Sequence, residues 1–485
     1  MSATKAPHVV MLTSPGIGHV LPMAELARRL AEDHGFTTTI ITYSSGISSP
    51  RNASVLASLP ACVTTAALPA VPLDDLPADA RIETRMLTVV TRVLPHLRAL
   101  LAELVSAHDV VAFLADMFCA QALPLAAEQG VPPYIAFLSG LATLAFMLRL
   151  PELDSATTCA YRDLPEPVRL PGCVPLRGDD LLDTVKDRSN PAYALLVEMT
   201  RHLVLADGFV VNTFDGMEHD TITAFQELSD EGVYPPVYPV GPFLRACSED
   251  AAKVHGCLRW LDDQPDGSVL YVCFGSGGAL SVEQTAELAA GLEACGQRFL
   301  WVVNFPSDKD SSASYFGAAS HGGGDDDPLR FLSEGFSERT KGVGLCVPMW
   351  APQVEVLHHR SVGGFLSHCG WNSTLEAMDA GVPMVAWPLF AEQRMNAVLL
   401  EKAGLALRPA SPRGEVVSRE EVAAVARELM VGEKGKAARK KATDMRMAAA
   451  EALALEGPSR RALAAIVNKW KQGAHGGTAN GATAI

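Results

Sequence analysis

WAPQVEVLHHRSVGGFLSHCGWNSTLEAMDAGVPMVAWPLFAEQ, residues 350–393, carries the clearest structural signal in this chain. It predicts a loop and a short helix, then a strand over Val362–Ser367, a glycine-bearing turn over His368–Asn372 and a helix that begins near Ser373. A strand that enters a helix through such a turn presents backbone N–H groups to a phosphate in open α/β sheets. The segment therefore predicts a nucleotide diphosphate site, for which the rest of the chain must supply a second wall and a reactive group.

Strands and helices alternate on both sides of this segment. In the first half, Val9–Leu12, Phe36–Thr42 and Val110–Ala115 predict buried strands, and Met23–Asp33 is the first of the helices between them. The same alternation restarts at Ser268–Phe274. Because β-α-β units require parallel strands, each half predicts a doubly wound parallel sheet of the α/β class.

The boundary between the halves is predicted at PPVYPVGPFL, residues 235–244, which is followed by a polar segment to His255. Proline stiffens such a linker, and the polar segment makes it flexible. Three other regions lack clear periodicity: 50–80 predicts mostly loop with one short strand at Val63–Ala66, 151–190 an insertion or lid, and 304–328 a mobile excursion.

Composition limits the class of protein. A length of 485 residues predicts two or three domains, and the net charge of −15 argues against nucleic acid and anionic membranes as partners. The ten cysteines have no Cys-x-x-Cys spacing, and the adjacent His358 and His359 have no nearby cysteine pair, so we expect reduced thiols and no zinc site. The longest apolar stretch, Ile135–Leu148, is too short to span a membrane. These features predict a cytoplasmic protein.

Two polar residues at strand ends in the first half are candidates for a reactive pair. His19 follows Gly16 and Gly18 after the first strand, and Asp116 ends the strand Val110–Ala115. Strand ends meet at one edge of a parallel sheet, so the Asp116 carboxylate could accept the Nδ1–H of His19 and orient it as a base. Asp116 is an equally good helix cap. The absence of a third glycine after Gly18 argues against an NAD site.

The second half offers groups suited to a nucleotide diphosphate. FGSGG, residues 274–278, supplies a second glycine turn after a strand. Hydrogen-bond donors, flat aromatic faces and carboxylates for sugar hydroxyls are available at Ser276, His368, Asn372, Ser373, Trp350, Trp371, Glu376 and Glu392. The alternative is structural, with Ser373 and Glu376 as a capping box and both tryptophans in the core.

With these residues assembled, the segment resembles the signature box of plant UDP-dependent glycosyltransferases of small molecules. The order W…Q…HCGWNS…E…P…EQ is intact, and SPGIGHVLPM, LPGCVPL, GFVVNTF, YPVGP, VLYVCFGSGG and GPSRRAL extend the resemblance over nearly the whole chain. The sequence is most similar to the phenol-directed subgroup of hydroquinone, chlorophenol and monolignol glucosyltransferases. The marks of that subgroup are GSGG, ASYF at 313–316, AEQ and RIETR at 81–85.

This resemblance implies the GT-B fold, in which two Rossmann-like domains face each other across a cleft. The acceptor domain would comprise 1–245 together with a C-terminal helix over 456–472, and the donor domain 246–455, with a disordered tail at 473–485. The family's donor-site roles carry over to the matching positions here: Trp350, Ala351 and Gln353 for uracil and ribose, Glu376 for the ribose hydroxyls, Ser276, His368, Gly370, Asn372 and Ser373 for the diphosphate, and Trp371, Glu392 and Gln393 for the sugar.

By the same resemblance, His19 is the base, Asp116 is its partner, and Glu83 and Phe118 are acceptor contacts. The implied reaction is inverting transfer of glucose from UDP-glucose to a small phenol, with no cofactor and no metal, by a monomer. Glu392 departs from the aspartate usual in the broader family, and Gln393 favours glucose. Two other classes stay open: a non-catalytic nucleotide-sugar-binding protein and an NAD-dependent oxidoreductase.

Overall fold

The computed structural model describes residues 5–44, 50–77, 79–245, 255–313, 327–411 and 415–476. The chain divides into two compact units. The first comprises Met1–Asp179, Thr184–Leu244 and Glu451–Ile485, and the second comprises Asp180–Asp183 and Arg245–Ala450. The division after Leu244 falls at the proline-rich linker. The assignment of Asp180–Asp183 to the second unit has no counterpart in the sequence predictions.

A parallel sheet of seven strands, in the order β3-β2-β1-β4-β5-β6-β7, forms the centre of the first unit. Its strands are β1 Pro7–Leu12, β2 Thr37–Tyr43, β3 Val63–Leu68, β4 Asp109–Asp116, β5 Pro133–Phe137, β6 Phe209–Val211 and β7 Val237–Pro239. The central strands are buried on both faces, as their continuous apolar sequences require. The helices of this unit are α1 Ile17–His34, α2 Pro50–Ala57, α3 Ile82–Ala107, α4 Leu123–Glu128, α5 Leu141–Ala156, α6 Pro191–Arg201 and α7 Asp215–Asp230.

Helix α1 begins earlier than the sequence predicts. It starts at Ile17 rather than Met23 and runs through Pro22. A proline near the helix start removes one N–H donor, and burial of Val20 and Met23 against the sheet offsets that loss. The consequence for the site is that His19 lies in the first helical turn, after the short loop of residues 13–16 that follows β1.

Two further predictions for the first unit need correction. Residues 50–80 were expected to be mostly loop, but α2 occupies Pro50–Ala57. The sequence also predicts a long helix over Glu83–Val105 that is interrupted or bent at Pro95, and the structure has one uninterrupted helix from Ile82 to Ala107 with Pro95 inside it.

The second unit contains a parallel sheet of six strands in the order β10-β9-β8-β11-β12-β13. Its strands are β8 Val269–Cys273, β9 Arg298–Val303, β10 Gly344–Pro348, β11 Val362–Ser367, β12 Met384–Ala386 and β13 Ala406–Leu407. Its helices are α8 Gly256–Asp262, α9 Val282–Cys295, α10 Phe336–Arg339, α11 Gln353–Leu357, α12 Trp371–Ala380, α13 Gln393–Lys402, α14 Arg419–Val431 and α15 Glu433–Leu453, the last of which ends in the first unit.

The last helix, α16 Pro458–Gly476, belongs to the first unit. Its Trp470 is 2% exposed and packs edge-on against the rings of Phe36 and Tyr134. The helix includes Ser459 and continues into the predicted tail at 473–476. Residues 477–485 of that tail and 314–326 of the predicted excursion lie outside the described residues.

Two properties of the described chain concern its chemistry and its surroundings. The nine cysteines in that part of the chain are free thiols, and Cys247 lies outside it. Within the same residues, no helix is both long and apolar enough to cross a lipid bilayer.

Candidate functional site

His19 and Asp116 form a hydrogen-bonded pair in the first unit. His19 Nδ1 lies 2.8 Å from Asp116 Oδ2. The Asp116 side chain is fully buried, and that of His19 is 15% exposed. The paired strands β1 and β4 bring the two residues together, because both strands end at the same edge of the sheet. Since the buried carboxylate accepts a hydrogen bond from Nδ1–H, the imidazole carries its lone pair on Nε2.

Asp116 also caps the 3₁₀ helix Met117–Ala122. Its Oδ1 accepts the N–H of Phe118 at 3.0 Å while Oδ2 accepts from His19. The two interpretations of this residue in the sequence, as a cap and as a histidine partner, are therefore both correct, with one oxygen for each. The cap fixes the carboxylate, and the fixed carboxylate orients the ring.

The two candidate acceptor contacts have different surroundings. The ring of Phe118 lies against His19, with the ring centroids 5.4 Å apart and the planes tilted by 59°. Glu83 is half-buried in the first turn of α3. Phe118 thus forms part of the wall around the imidazole, and Glu83 is placed at the start of a different helix.

In the second unit, two glycine-bearing turns follow neighbouring strands. Cys273 at the end of β8 pairs with Ser367 at the end of β11, so the turns Gly275–Gly278 and His368–Gly370 begin at the same level of the sheet. Helix α12 starts at Trp371, with Gly370 as an N-cap that offers no side-chain hydrogen bond. The helix thus starts two residues before Ser373, which lies inside the first turn, so the alternative of Ser373 as the N-cap of a capping box is wrong. The N–H groups of that turn point beyond the sheet, as in anion sites.

The His368 ring lies between two glycines. A Cβ built on Gly275 would lie 2.6 Å from the ring's Nε2, and one built on Gly370 would lie 2.5 Å from the same atom. Only glycine fits at these two positions without displacement of the imidazole ring. Burial lowers the pKa of His368 to about 4. In the unliganded protein the ring is neutral at pH 7 and acts as a hydrogen-bonding group, not as a cation.

Gln353, Ser373 and Glu376 form one hydrogen-bonded group. Gln353 Nε2 donates to Glu376 Oε2 at 2.6 Å and to Ser373 Oγ at 2.9 Å. Tyr271 on β8 donates its hydroxyl to Gln353 Oε1 at 3.4 Å. Burial raises the pKa of Glu376, and the hydrogen bond from Gln353 opposes that shift. The amide of Gln353 thus holds the carboxylate that was expected to meet ribose.

The two tryptophans of the segment have opposite environments. Trp350 is 40% exposed, and the edge of its ring meets His255, with the centroids 5.6 Å apart. Trp371 is 3% exposed, so its indole cannot serve as a stacking surface for a sugar. Ala351, beside Trp350, is buried, and Ser276 is exposed in its turn.

Three non-glycine residues in the described part of the chain have left-handed backbone conformations: Met349 (φ 63°), Cys369 (φ 64°) and Ala391 (φ 54°). Each directly precedes a residue of the predicted donor site, namely Trp350, Gly370 or Glu392. Such conformations cost free energy and persist where the surroundings enforce them, commonly at ligand sites. The sequence gives no sign of this coincidence.

Glu392 and Gln393 begin α13, and their side chains face different partners. Gln393 is 3% exposed, and its Oε1 accepts the backbone N–H groups of Leu389 and Phe390 at 2.8 and 3.0 Å. Asn396 donates to the carbonyl of Cys369 at 3.0 Å and to Glu392 Oε1 at 3.5 Å. One buried amide therefore connects the His368–Gly370 turn to Glu392.

Several residues of this region were missed from the sequence. Asn396 could have been found, since it lies four residues after Glu392 on one helix face. Asn304, which donates to the carbonyls of Gly275 and Gly278, lies directly after β9. Tyr271 and His255 carried no comparable signal, because their contacts join segments far apart in the chain.

Known proteins resemble this chain in sequence and in overall fold. The family model described as "UDP-glucoronosyl and UDP-glucosyl transferase" matches residues 209–437. The hydroquinone glucosyltransferase of Rauvolfia serpentina is 47% identical over 96% of this chain and 98% of its own length.

Two solved structures are also similar over almost the whole chain. A UDP-glucosyltransferase from Polygonum tinctorium capable of glucosylating indoxyl, in complex with 3,4-dichloroaniline, has a TM-score of 0.88 and 44% identity, and covers 97% of this chain and 100% of its own. Phytolacca americana UGT2 with UDP-2-fluoroglucose and pterostilbene has a TM-score of 0.86 and 41% identity, and the match covers 96% of this chain and 100% of UGT2.

Proposed function

The chain belongs to family 1 of the UDP-dependent glycosyltransferases and has their GT-B fold of two Rossmann-like parallel-sheet units, and we propose that it transfers glucose from UDP-glucose to the hydroxyl of a small phenol. The product is a β-glucoside, because the acceptor attacks the anomeric carbon from the face opposite UDP. Hydroquinone, chlorophenols and monolignols are the acceptor types we propose, in line with the name of the relative, hydroquinone glucosyltransferase.

The observation that carries this proposal is the 2.8 Å contact between His19 and Asp116. A histidine whose Nδ1–H donates a hydrogen bond to a buried carboxylate has its lone pair on Nε2 and a fixed ring plane. That nitrogen takes the proton of the phenol as the phenolic oxygen bonds to the anomeric carbon. A phenol with a pKa near 10 is far easier to deprotonate than an alkyl alcohol, so a base with an ordinary pKa of about 6.5 is sufficient.

The proposed donor site uses the groups of the second unit in order from base to sugar. Uracil stacks on the exposed face of Trp350, with the Ala351 backbone beside it, and the Glu376 carboxylate accepts hydrogen bonds from the ribose hydroxyls. Gln353 positions that carboxylate through the 2.6 Å hydrogen bond. The diphosphate is proposed to meet Ser276, His368, Gly370, Asn372 and Ser373.

The bond from the anomeric carbon to the diphosphate breaks with its electron pair on UDP, and negative charge grows there. The N-terminus of α12, which has no side-chain cap, offers backbone N–H groups to that charge. His368, being neutral, contributes a hydrogen bond. We propose that these groups make a metal ion unnecessary. Excess chelator should leave turnover unchanged, whereas a loss that added magnesium restores would refute metal independence.

For the sugar, we propose contacts from Glu392 and from the Trp371–Asn372 end of α12. Gln393 can contribute only its amide N–H groups, because its oxygen already holds the Leu389–Phe390 backbone. The buried indole of Trp371 cannot stack on glucose, so its contribution is confined to the backbone. These two points refine the roles that the resemblance implies.

UDP release with hydroquinone and UDP-glucose tests the proposal. The wild type should release UDP only with acceptor present, and His19→Ala should lower the rate by about 10²- to 10⁴-fold. His96→Ala, which alters an exposed histidine on α3, is the matched control and should behave as wild type. Equal rates for wild type and His19→Ala would exclude His19 as the base. Binding of UDP-glucose with no turnover over a broad phenol panel would favour the non-catalytic nucleotide-sugar-binding protein.

A further inference from the structure

The turn that carries Glu392 is held from outside the 350–393 segment. We call Phe390–Gln393 the sugar turn. Ala391 within it has φ 54°, a left-handed conformation that a residue with a Cβ disfavours. The turn therefore keeps its shape only if its neighbours enforce it. Those neighbours determine where the Glu392 carboxylate points.

Two of the restraints come from the helix that follows the turn. Gln393 Oε1 accepts the N–H groups of Leu389 and Phe390, and Asn396 donates to Glu392. Both restrain side chains or the beginning of the turn. Neither contacts the carbonyl of Ala391, where the backbone reverses.

The carbonyl of Ala391 is held by Asp183. The backbone N–H of Asp183 donates to Ala391 O at 3.1 Å. The Asp183 carboxylate also pairs with Arg394 Nε at 3.4 Å, at side-chain exposures of 22% and 20%. Asp183 thus contacts both sides of the Glu392–Gln393 pair, through its backbone and through its side chain.

Asp183 is remote from the turn in the sequence. It lies in 180–183, the short piece of the 151–190 insertion that belongs to the second unit. It is also the first residue of the 3₁₀ helix Asp183–Val185, which fixes the direction of its N–H. The sequence suggested only that this region forms an insertion or lid.

We propose that Asp183 is a positioning residue that sets sugar recognition by fixing the sugar turn. This rests on the proposed function, in which Glu392 contacts the glucose of the donor. Uracil and ribose recognition should be independent of Asp183, because Gln353 and Glu376 are held by their own hydrogen bonds on α11 and α12. Loss of the Asp183 contacts should therefore weaken binding of the sugar and leave binding of UDP unchanged.

Three variants separate the two contacts. Asp183→Ala and Arg394→Gln each remove the ion pair and keep the backbone bond. Asp183→Pro removes the N–H as well, and proline is tolerated at the first position of a helix. Asp187→Ala is the matched control, because its carboxylate lies in the same insertion and bonds the neighbouring Ser189.

Calorimetry with UDP and with UDP-glucose, and steady-state kinetics with UDP-glucose and UDP-galactose, give the readouts. For Asp183→Ala and Arg394→Gln we expect the Kd and KM of UDP-glucose to rise about three- to tenfold, with a larger rise for Asp183→Pro. The preference for glucose over galactose should narrow by a similar factor, and the Kd of UDP should stay within about twofold, since no contact to UDP is removed.

Unchanged UDP-glucose affinity and sugar preference in all three variants would overturn the proposal. An equal loss of UDP affinity would overturn it too, because that result indicates general damage to the donor site. An effect confined to Asp183→Pro assigns the role to the backbone bond and supports the proposal. If Asp183→Pro does not fold by circular dichroism, the two side-chain variants decide. Failure of the wild type itself to transfer glucose would instead refute the proposed function.

Discussion

Asp116 illustrates how one buried side chain can serve fold and chemistry at once. Its Oδ2 accepts a hydrogen bond from His19 Nδ1–H, and its Oδ1 accepts one from the backbone N–H of Phe118. An asparagine at this position has one oxygen and one amide nitrogen. Whichever way that amide turns, its nitrogen faces an N–H donor, so either the helix cap or the histidine tautomer is lost.

We therefore expect Asp116→Asn to lower kcat with hydroquinone by about 10²-fold or more, because either the Nε2 lone pair is lost or, without the cap, the side chain that orients the His19 ring is no longer fixed. The KM of UDP-glucose should change little, since the donor groups are in the second unit. Initial rates at saturating donor measure the effect. Asp75→Asn, at an exposed carboxylate paired with Arg92, is the control. Wild-type kcat for Asp116→Asn would contradict the assigned role.

His8 should make the stability of the protein depend on pH. It is buried at the start of β1, bonded to the hydroxyls of Thr37 and Thr39 and stacked on His108 at 4.2 Å. Burial, with a smaller effect from His108, lowers the pKa of His8 from 6.5 to about 4. The unfolded chain therefore binds a proton as the pH falls through 6.5, and the folded chain resists it until about 4.

This contribution to stability is complete above pH 6.5 and is lost progressively down to about pH 4, a decrease of roughly 3 kcal/mol at most, given about 1.4 kcal/mol per pKa unit. Urea unfolding at pH 7 and pH 5 would measure it. Carboxylates also titrate in this window, so the test is the difference between wild type and His8→Gln. The variant should lose less stability on acidification. If wild type and His8→Gln lose the same free energy of unfolding between pH 7 and pH 5, the prediction is refuted.

Gly275 offers a sharp test of the His368 environment. A Cβ at Gly275 would lie 2.6 Å from the imidazole, whereas one at Gly267 meets nothing within 4 Å. Both glycines are left-handed, with φ 72° and 61°, so alanine costs similar backbone strain at each. Gly275→Ala should weaken UDP binding by about tenfold or more through the displaced ring, and Gly267→Ala should lower only the melting temperature. Calorimetry and thermal unfolding separate the two effects, and equal UDP affinities would count against the role of His368.

At the scale of helices and strands, the sequence predicted strands better than helix starts. The continuous apolar stretches of β4 and β11 are buried on both faces, so composition alone located them. The start of α1 was predicted six residues too late, because the segment that contains Gly16, Gly18 and Pro22 was interpreted as a turn, and the start of α12 was predicted two residues too late. Pro22 is inside α1 and Gly370 is the cap of α12. Packing against the sheet outweighs local preference in the first case, and the backbone turn itself caps the second.

Helix α16 should stabilise the first unit, although it is the last element of the chain. Trp470 is almost fully buried against Phe36 and Tyr134, and Lys471 donates to the carbonyl of His34. Trp470→Ala should destabilise the protein by about 3–5 kcal/mol, because the cavity left behind cannot fully collapse. Gln472→Ala, two residues later on the exposed side, should have little effect. Thermal unfolding measures the stability of both variants, and equal melting temperatures for Trp470→Ala and Gln472→Ala would contradict the prediction.

At the scale of the whole molecule, the two sheets follow one plan, and the proposed chemistry is divided between them. In each, the candidate functional side chains lie at or after the ends of adjacent central strands, β1 and β4 in one unit and β8 and β11 in the other. This plan was predictable from alternation, and so was the contact between His19 and Asp116. The hydrogen bond between Asp183 and Ala391 was not predictable. The two residues are separated by about two hundred positions, and a backbone hydrogen bond does not depend on the identity of the side chains.

Hydrogen exchange with and without UDP would test this division. If the donor site is confined to the second unit, UDP should slow exchange at the turns Gly275–Gly278 and His368–Gly370 and in the first turn of α12, whose N–H groups are proposed to face the phosphates. The amides of β1 and β4 should exchange at unchanged rates, because no proposed contact of UDP reaches them. Protection around Phe118 by UDP alone would contradict this assignment. Added hydroquinone is expected to protect that region, since the phenol must reach His19 before its proton can be removed.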